Sequence, residues 1–240
     1  MAPIRRWFVT LSVAGIAVAC GGLTPAAPYD QTASASQIAK DSAGSLKSVK
    51  SEHIKFDGTT SNGQVGLEAD VEGQNFNGTI SLSGQTLKVI GADGKVYIYG
   101  PDILTLIPGT DPAAAARLKV AVGTNWVVLP NSSTVTSDLG PVLDLTTVST
   151  CISGLAGLKK KGTSNIDGDA VVEVDDSTGG QVFVLISSPH YPRRIVLSSN
   201  TCATASNSGA GTVEMTKENA HFGIKAPTNV VDLASLSAGG

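Results

Sequence analysis

Few side chains in this 240-residue sequence are spaced for catalysis. The histidines, His53, His190 and His221, stand far apart in no H-x-x-x-H or H-x-H pair, so they supply no metal-ligand set. His190 lies in Ser188-Pro189-His190-Tyr191-Pro192, a proline-set turn between two strands. A nucleophile elbow of the form Gly-x-Ser-x-Gly is missing, because Ser153-Gly154 and Ser208-Gly209 lack the flanking glycine that the motif requires. Asp167/Asp169 and Asp175-Asp176 are paired carboxylates, yet they fall at turns, where Asp serves local hydrogen bonding rather than acid/base work. The glycines punctuate turns and form no phosphate loop. Lys159-Lys160-Lys161 is the one basic cluster; such runs are ordinarily solvated, and beside a cavity mouth this one would meet anionic headgroups or a membrane surface. The expectation is a protein that is not an enzyme and uses no metal and no cofactor.

The cysteines carry the clearest chemistry. Arg5 and Arg6 precede an uncharged, mostly apolar run, Trp7–Ala19, and Ala17-Val18-Ala19 leads into Cys20. This is an export signal ending at a cysteine. Its thirteen apolar-run residues fall short of the ~20 needed to cross a bilayer as a helix. The segment resembles a bacterial lipoprotein signal, with Ala17 where Leu is usual. Residues 1–19 are then removed, and Cys20 becomes the lipidated N-terminus that holds the protein to the outer face of the cell membrane. An ordinary secretory signal is the alternative. Cys151 and Cys202 remain, an even pair in an oxidising compartment, and the expectation is that they form a disulfide. Closing that loop would stabilise the fold by roughly 4 kcal/mol in the chain-entropy model.

Hydrophobic residues make up 41% of the chain and charged residues only 15%, below the roughly 25% of ordinary soluble domains. The net charge of −3 argues against a nucleic-acid partner, which would need a basic surface. Residues 20–36, rich in Gly, Thr, Pro, Ala and Ser, read as the lipidated cysteine and a flexible tether, and 37–240 as a single folded domain.

Ala35, Ile38, Ala39, Ser42, Leu46 and Val49 recur at helical spacing and predict one amphipathic helix. The period then changes to two. Val65, Leu67, Ala69 and Val71, then Phe76, Gly78, Ile80 and Leu82, alternate with polar residues, and Asn62-Gly63, Gly73-Gln74, Gly84 and Asp93-Gly94 mark turns of an antiparallel meander. Pro101–Ile107, Asp111–Val122 and Leu139–Gly157 read as helices, with Asn125–Leu129 a short strand between them. The two-residue period resumes in Gly162–Ile166, Ala170–Asp175, Gln181–Ser187, Arg193–Ser199 and Thr212–Lys217. The fold class expected is α+β, with a large curved antiparallel sheet of about ten strands around a few helices.

Several stretches carry a resemblance to a family: the Cys20 signal and tether, Ser45-Leu46-Lys47-Ser48-Val49-Lys50-Ser51-Glu52-His53, Lys95-Val96-Tyr97-Ile98-Tyr99, Asn125-Trp126-Val127-Val128-Leu129-Pro130, and Ile224-Lys225-Ala226-Pro227 with Val230-Val231-Asp232-Leu233. Together they look like the LppX/LprAFG-type lipoproteins of mycobacteria, a family similar in fold to the lipoprotein carriers LolA and LolB. The resemblance implies a LolA-like half-barrel with an apolar cavity. It also implies carriage of lipid or glycolipid acyl chains between envelope layers, with a transporter as a possible further partner.

The residues themselves leave open whether the interior is hollow. Leu67, Ala69, Val71, Phe76, Ile80, Leu82, Leu87 and Val89 line the expected cavity, and Leu104 and Ile107, with Leu106, form its lid. Gly66 or Gly78, Ala69 and Gly91 and a scarcity of aromatics would leave volume unfilled. A packed core is the alternative for each of these residues, each burial stabilising the fold by ~1.5–3 kcal/mol. In the second meander either Val182, Val184 and Ile186 or Phe183 and Leu185 face inward. A structural or adaptor lipoprotein with a filled core, acting by protein contacts, is the alternative function. Cys20→Ala should shift the protein from the membrane to the soluble fraction and abolish its acyl mass increment on intact mass spectrometry; unchanged membrane retention would refute anchoring at Cys20.

Overall fold

A computed structural model describes residues 27–60, 63–82, 84–103, 111–129, 143–198 and 210–232. Alternating apolar and polar residues and short turns build its sheet. The first meander comprises β1 (Ser51–Thr60), β2 (Gly63–Glu72), β3 (Asn75–Leu82), β4 (Gln85–Ala92), β5 (Lys95–Tyr99) and β6 (Trp126–Val128). The second comprises β7 (Lys159–Ile166), β8 (Asp169–Asp175), β9 (Gln181–Leu185), β10 (Pro192–Leu197) and β11 (Ala210–Thr216), and β12 (Val230–Asp232) follows. Asp93-Gly94 and Asp167-Gly168 both turn with two successive positive φ angles, 54° and 70°, 52° and 95°. That conformation matches the right-handed twist of the strands it joins.

All twelve described strands form one open, curved sheet in the order β12-β6-β5-β4-β3-β2-β1-β11-β10-β9-β8-β7. Pairing of β1 with β11 joins the two meanders, His53 facing Thr216 and Thr59 facing Ala210. Every pair is antiparallel except β12 with β6, which is parallel, so the sheet is mixed rather than antiparallel throughout. The two strands beyond the expected ten are β1 and β12. In β1 the alternation Glu52, Ile54, Phe56 against His53, Lys55, Asp57 begins with a carboxylate on its inner face, which obscures the pattern. Strand β12 is only three residues long.

Five helices are described: α1 (Tyr29–Thr32), α2 (Ala35–Leu46), α3 (Gly100–Ile103), α4 (Pro112–Val122) and α5 (Leu145–Ser153). Ser34 caps α2 by accepting from Gln37 N at 3.1 Å, and Asp111, followed by Pro112, caps α4. The helix buries Ile38, Ala39, Ala43 and Leu46 against the sheet and α5. Inside that contact Ser149 Oγ donates to Ala43 O at 2.8 Å. Within the expected helix Leu139–Gly157 the described helical span is Leu145–Ser153; residues 104–110 and 130–142 lie outside the described residues.

The described structure includes part of the expected tether. The Tyr29 ring stacks on His190 with centroids 3.7 Å apart, and its hydroxyl donates to Asp41 at 3.0 Å. Lys160 Nζ donates to Asp30 O and Ala33 O at 2.7 and 2.9 Å, and Lys161 pairs with Asp175 at 3.2 Å. Two of the three clustered lysines therefore serve the fold itself. The chain between β11 and β12 straps across the strand ends: Asn219 N donates to Ser51 O at 2.7 Å, and Asn219 Oδ1 accepts from Lys50 N at 2.9 Å. Further along, Glu72 bonds His221 Nδ1 at 2.7 Å and accepts from Gly223 N at 2.9 Å. The His221 hydrogen bond is the main reason the Glu72 carboxyl lies below its ordinary pKa.

Two inward-facing glycines of the first meander, Gly78 and Gly91, are filled places. A Cβ at Gly78 would lie 2.1 Å from Glu68 O and 2.6 Å from Ala69 Cα, and one at Gly91 would lie 2.1 Å from the Phe76 ring. Gly66 belongs to the outer face, beside Ser81 and Asp57. One polar side chain is out of keeping with the core: Glu52 is 0% exposed, and neither carboxyl oxygen has a partner. Burial, reinforced by Glu218 and opposed by Arg193, pushes its pKa from 4.5 up to about 9.

Two outcomes are expected. Gly78→Ala meets backbone that cannot yield and should cost about 1–3 kcal/mol in urea unfolding; no loss would mean that the strands separate freely there. For Glu52, the unfolded chain releases its proton near 4.5 and the folded chain only near 9. Unfolding therefore sheds a proton across that window, and stability falls as pH rises through it. Glu52→Gln should flatten this slope and gain about 1–3 kcal/mol near pH 8 relative to wild type; parallel pH profiles of unfolding would contradict the assignment.

Candidate functional site

The helical-to-strand switch at Val49 and Lys50 brings the end of α2 to the edge of the sheet. There a cleft of about 570 Å³ opens between the strand ends and α5. Val49 and Lys50 form one side, and Val71, the turn Gly73-Gln74, and Asn75 and Phe76 form the sheet side. Val96 of β5 contributes from the sheet, and Leu143 to Thr146 close the cleft from the start of α5. Its walls combine Val49, Val71, Phe76, Val96, Leu143 and Leu145 with a polar set of Lys50, Gln74, Asn75, Asp144 and Thr146. That composition suits an amphipathic ligand, whose apolar part leaves water while its polar part stays at the mouth.

Asp144 holds the α5 wall in place. Its carboxylate caps the helix, accepting from Thr146 N at 3.0 Å and Thr147 Oγ1 at 2.8 Å. Partial burial pushes that carboxyl up, and these hydrogen bonds more than offset it, so the pKa is lowered. The Phe76 ring lies over Gly91, where a Cβ would collide with it; the missing side chain lets an aromatic lie against the backbone at the cleft wall. Gly91 in turn faces Val96 across β4–β5.

Of the expected lining residues, Val71 and Phe76 come together at this cleft. Leu67, Ala69, Ile80, Leu87 and Val89 are buried in the main hydrophobic core, and Leu82 packs against it half-buried. Leu104, Leu106 and Ile107, like Cys20 and Cys202, lie outside the described residues, whereas Cys151 sits within α5. In the second meander Val182 and Val184 belong to the main core with Ile186 packed against it. Phe183 and Leu185 join Ile166, Val171 and Tyr191 in a small cluster on the other face.

Sequence reasoning missed Val49, Lys50, Val96, Leu143 and Leu145 as wall residues. Val96 shows the same alternation as the residues that were singled out. The others sit at element junctions, where periodicity ends and three-dimensional proximity takes over. Among the described residues no cluster of His, Cys, Asp or Glu is arranged to hold a metal ion, and no described helix is long and apolar enough to cross a membrane.

No family model and no curated protein matches the sequence. Solved structures do resemble the fold. LprF from Mycobacterium bovis superposes with a TM-score of 0.55 at 16% identity, over 80% of this chain and 96% of its own. The Mycobacterium tuberculosis lipoprotein LppX does so with a TM-score of 0.52 at 12% identity, over 80% of this chain and 98% of its own. At such identities the likeness is one of architecture: a large open, curved sheet with helices. The chain has the fold of the mycobacterial lipoproteins LprF and LppX.

Proposed function

We propose that this chain is an exported lipoprotein, anchored by lipid at Cys20 to the outer face of the cell membrane, that binds lipid or glycolipid acyl chains and carries them between envelope layers. The observation that carries this reading is the cleft of about 570 Å³ with a largely aliphatic and aromatic wall at the seam of sheet and helices. Ligand sites commonly occupy ~300–1,000 Å³, and each methylene moved from water into such a wall contributes ~0.8 kcal/mol. The lipoprotein fold of LprF and LppX supports it. The protein acts by binding and not by catalysis, with the membrane as one partner through its anchor and a transporter as a candidate second. Residues 20–28 form the tether, and a Cys151–Cys202 disulfide braces α5, a wall of the cleft.

The packed state of Leu67, Ala69, Ile80, Leu87 and Val89 favours a competing reading, a filled-core adaptor that works through protein contacts. The two separate experimentally. Protein purified after export should release acyl lipid on organic extraction, and native mass spectrometry should show the loaded species. Val96→Trp, which fills the cleft from its wall, should lower bound lipid at least tenfold with little change in melting temperature. Lipid-free wild-type protein from both cytoplasmic and exported preparations would favour the adaptor.

A further inference from the structure

One rim of the cleft carries polar side chains that the fold itself does not use. Lys50 joins α2 to β1, and its main chain is fixed from two sides: its N–H donates to Asn219 Oδ1 at 2.9 Å, and its carbonyl accepts from Gly73 N at 2.9 Å. The side chain is exposed and lines the cleft, and its ammonium has no ion pair among the described residues. Gln74 and Asn75 of the adjoining β2–β3 turn line the cleft too. Their amides likewise make no side-chain hydrogen bond among the described residues. The carboxylates that could neutralise Lys50 are committed elsewhere. Glu72 holds His221 and Gly223 N, Asp144 spends both oxygens capping α5, and Glu52 is wholly buried. The rest of the lining is largely apolar, with Val71, Phe76 and Val96 from the sheet and Leu143 and Leu145 from the side of α5. A fixed cation and a surface for an acyl chain thus share one cleft.

We propose that Lys50 is the specificity-determining residue of this cleft and that the cargo is an acyl lipid with a singly anionic head, its oxyanion held by Lys50 Nζ and by the amides of Gln74 and Asn75. The inference rests on the carrier reading and adds a class of cargo to it. An ammonium on a flexible four-carbon stem offers three donors and a full charge, and each carboxamide adds two donors, a set that matches the acceptor oxygens of a phosphodiester or a carboxylate. An uncharged head leaves that charge to water. Charge-assisted hydrogen bonds are the stronger kind, and the exposure of Lys50 keeps their gain moderate and open to screening by salt.

The test measures displacement of a fluorescent hydrocarbon from the full chain by three probes: dioctanoylphosphatidylglycerol, oleate and uncharged 1,2-dioctanoylglycerol. Wild type should bind at least one of the two anions about fivefold more tightly than dioctanoylglycerol at low salt, and the margin should shrink as salt is raised. Preference for phosphatidylglycerol alone assigns the oxyanion to a phosphodiester head, and preference for oleate alone assigns it to a free fatty acid. Lys50→Gln, which keeps the main-chain hydrogen bonds, should bring the preferred anion to within about twofold of dioctanoylglycerol and leave dioctanoylglycerol itself unchanged. Lys50→Arg should retain most of the preference. An anion preference that survives in Lys50→Gln, or an equal loss of all three probes there, would overturn the assignment to Lys50. Wild type that binds the three alike would overturn this inference and leave the carrier reading standing, whereas wild type that binds none would overturn both.

Discussion

Everything in this fold hangs on the pairing of β1 with β11. Each meander is a local structure, built from neighbours in sequence and short turns, and either alone would present a long unpaired edge to water. Joined through β1, they become one curved surface with a continuous inner face, and that face buries Ile54 and Phe56 from one side of the seam and Val213 and Met215 from the other. Hydrophobic burial supplies the drive, and main-chain hydrogen bonding supplies the register that directs it.

The seam also explains why a carboxyl is tolerated in the core. Glu52 lies near the start of β1, next to Ser51, which is tied down by Asn219 and Ala220 of the strap. A strand held on both sides cannot slip to turn an unwelcome side chain outward. The cost of desolvating the carboxyl therefore appears as a retained proton and not as a change of register.

The sequence made much of this legible. Turn dipeptides such as Asp93-Gly94 and Asp167-Gly168 specify their backbone conformation through local sterics, and alternation along β2 to β5 reads directly as two faces. The α2 helix is announced by its apolar stripe, and Ser34 provides a cap. Three things were hidden, each for a non-local reason. Strand β1 was masked by Glu52 at an apolar position. The parallel β12–β6 pair depends on a long return of the chain that three residues cannot advertise. Small residues such as Gly78 and Gly91 suggested empty space, but a glycine accommodates whatever approaches it, here an alanine backbone and the Phe76 ring. Volume therefore collected at the junction of elements, around Val49, Val96 and Leu145, where no periodic pattern points.

The strap that returns from β11 to β12 has a consequence for the order of events during folding. Strand β1 is made early but lacks its second neighbour until β11 has been made, and β6 waits longer still for β12. Through that interval the half-finished sheet offers bare strand edges to any similar strand nearby, the condition under which chains mispair. The sparse charge of the sequence gives little electrostatic protection then. Protection comes instead from brevity at one flank, where β6 has three residues, and from the largely exposed, lysine-bearing β7 at the other.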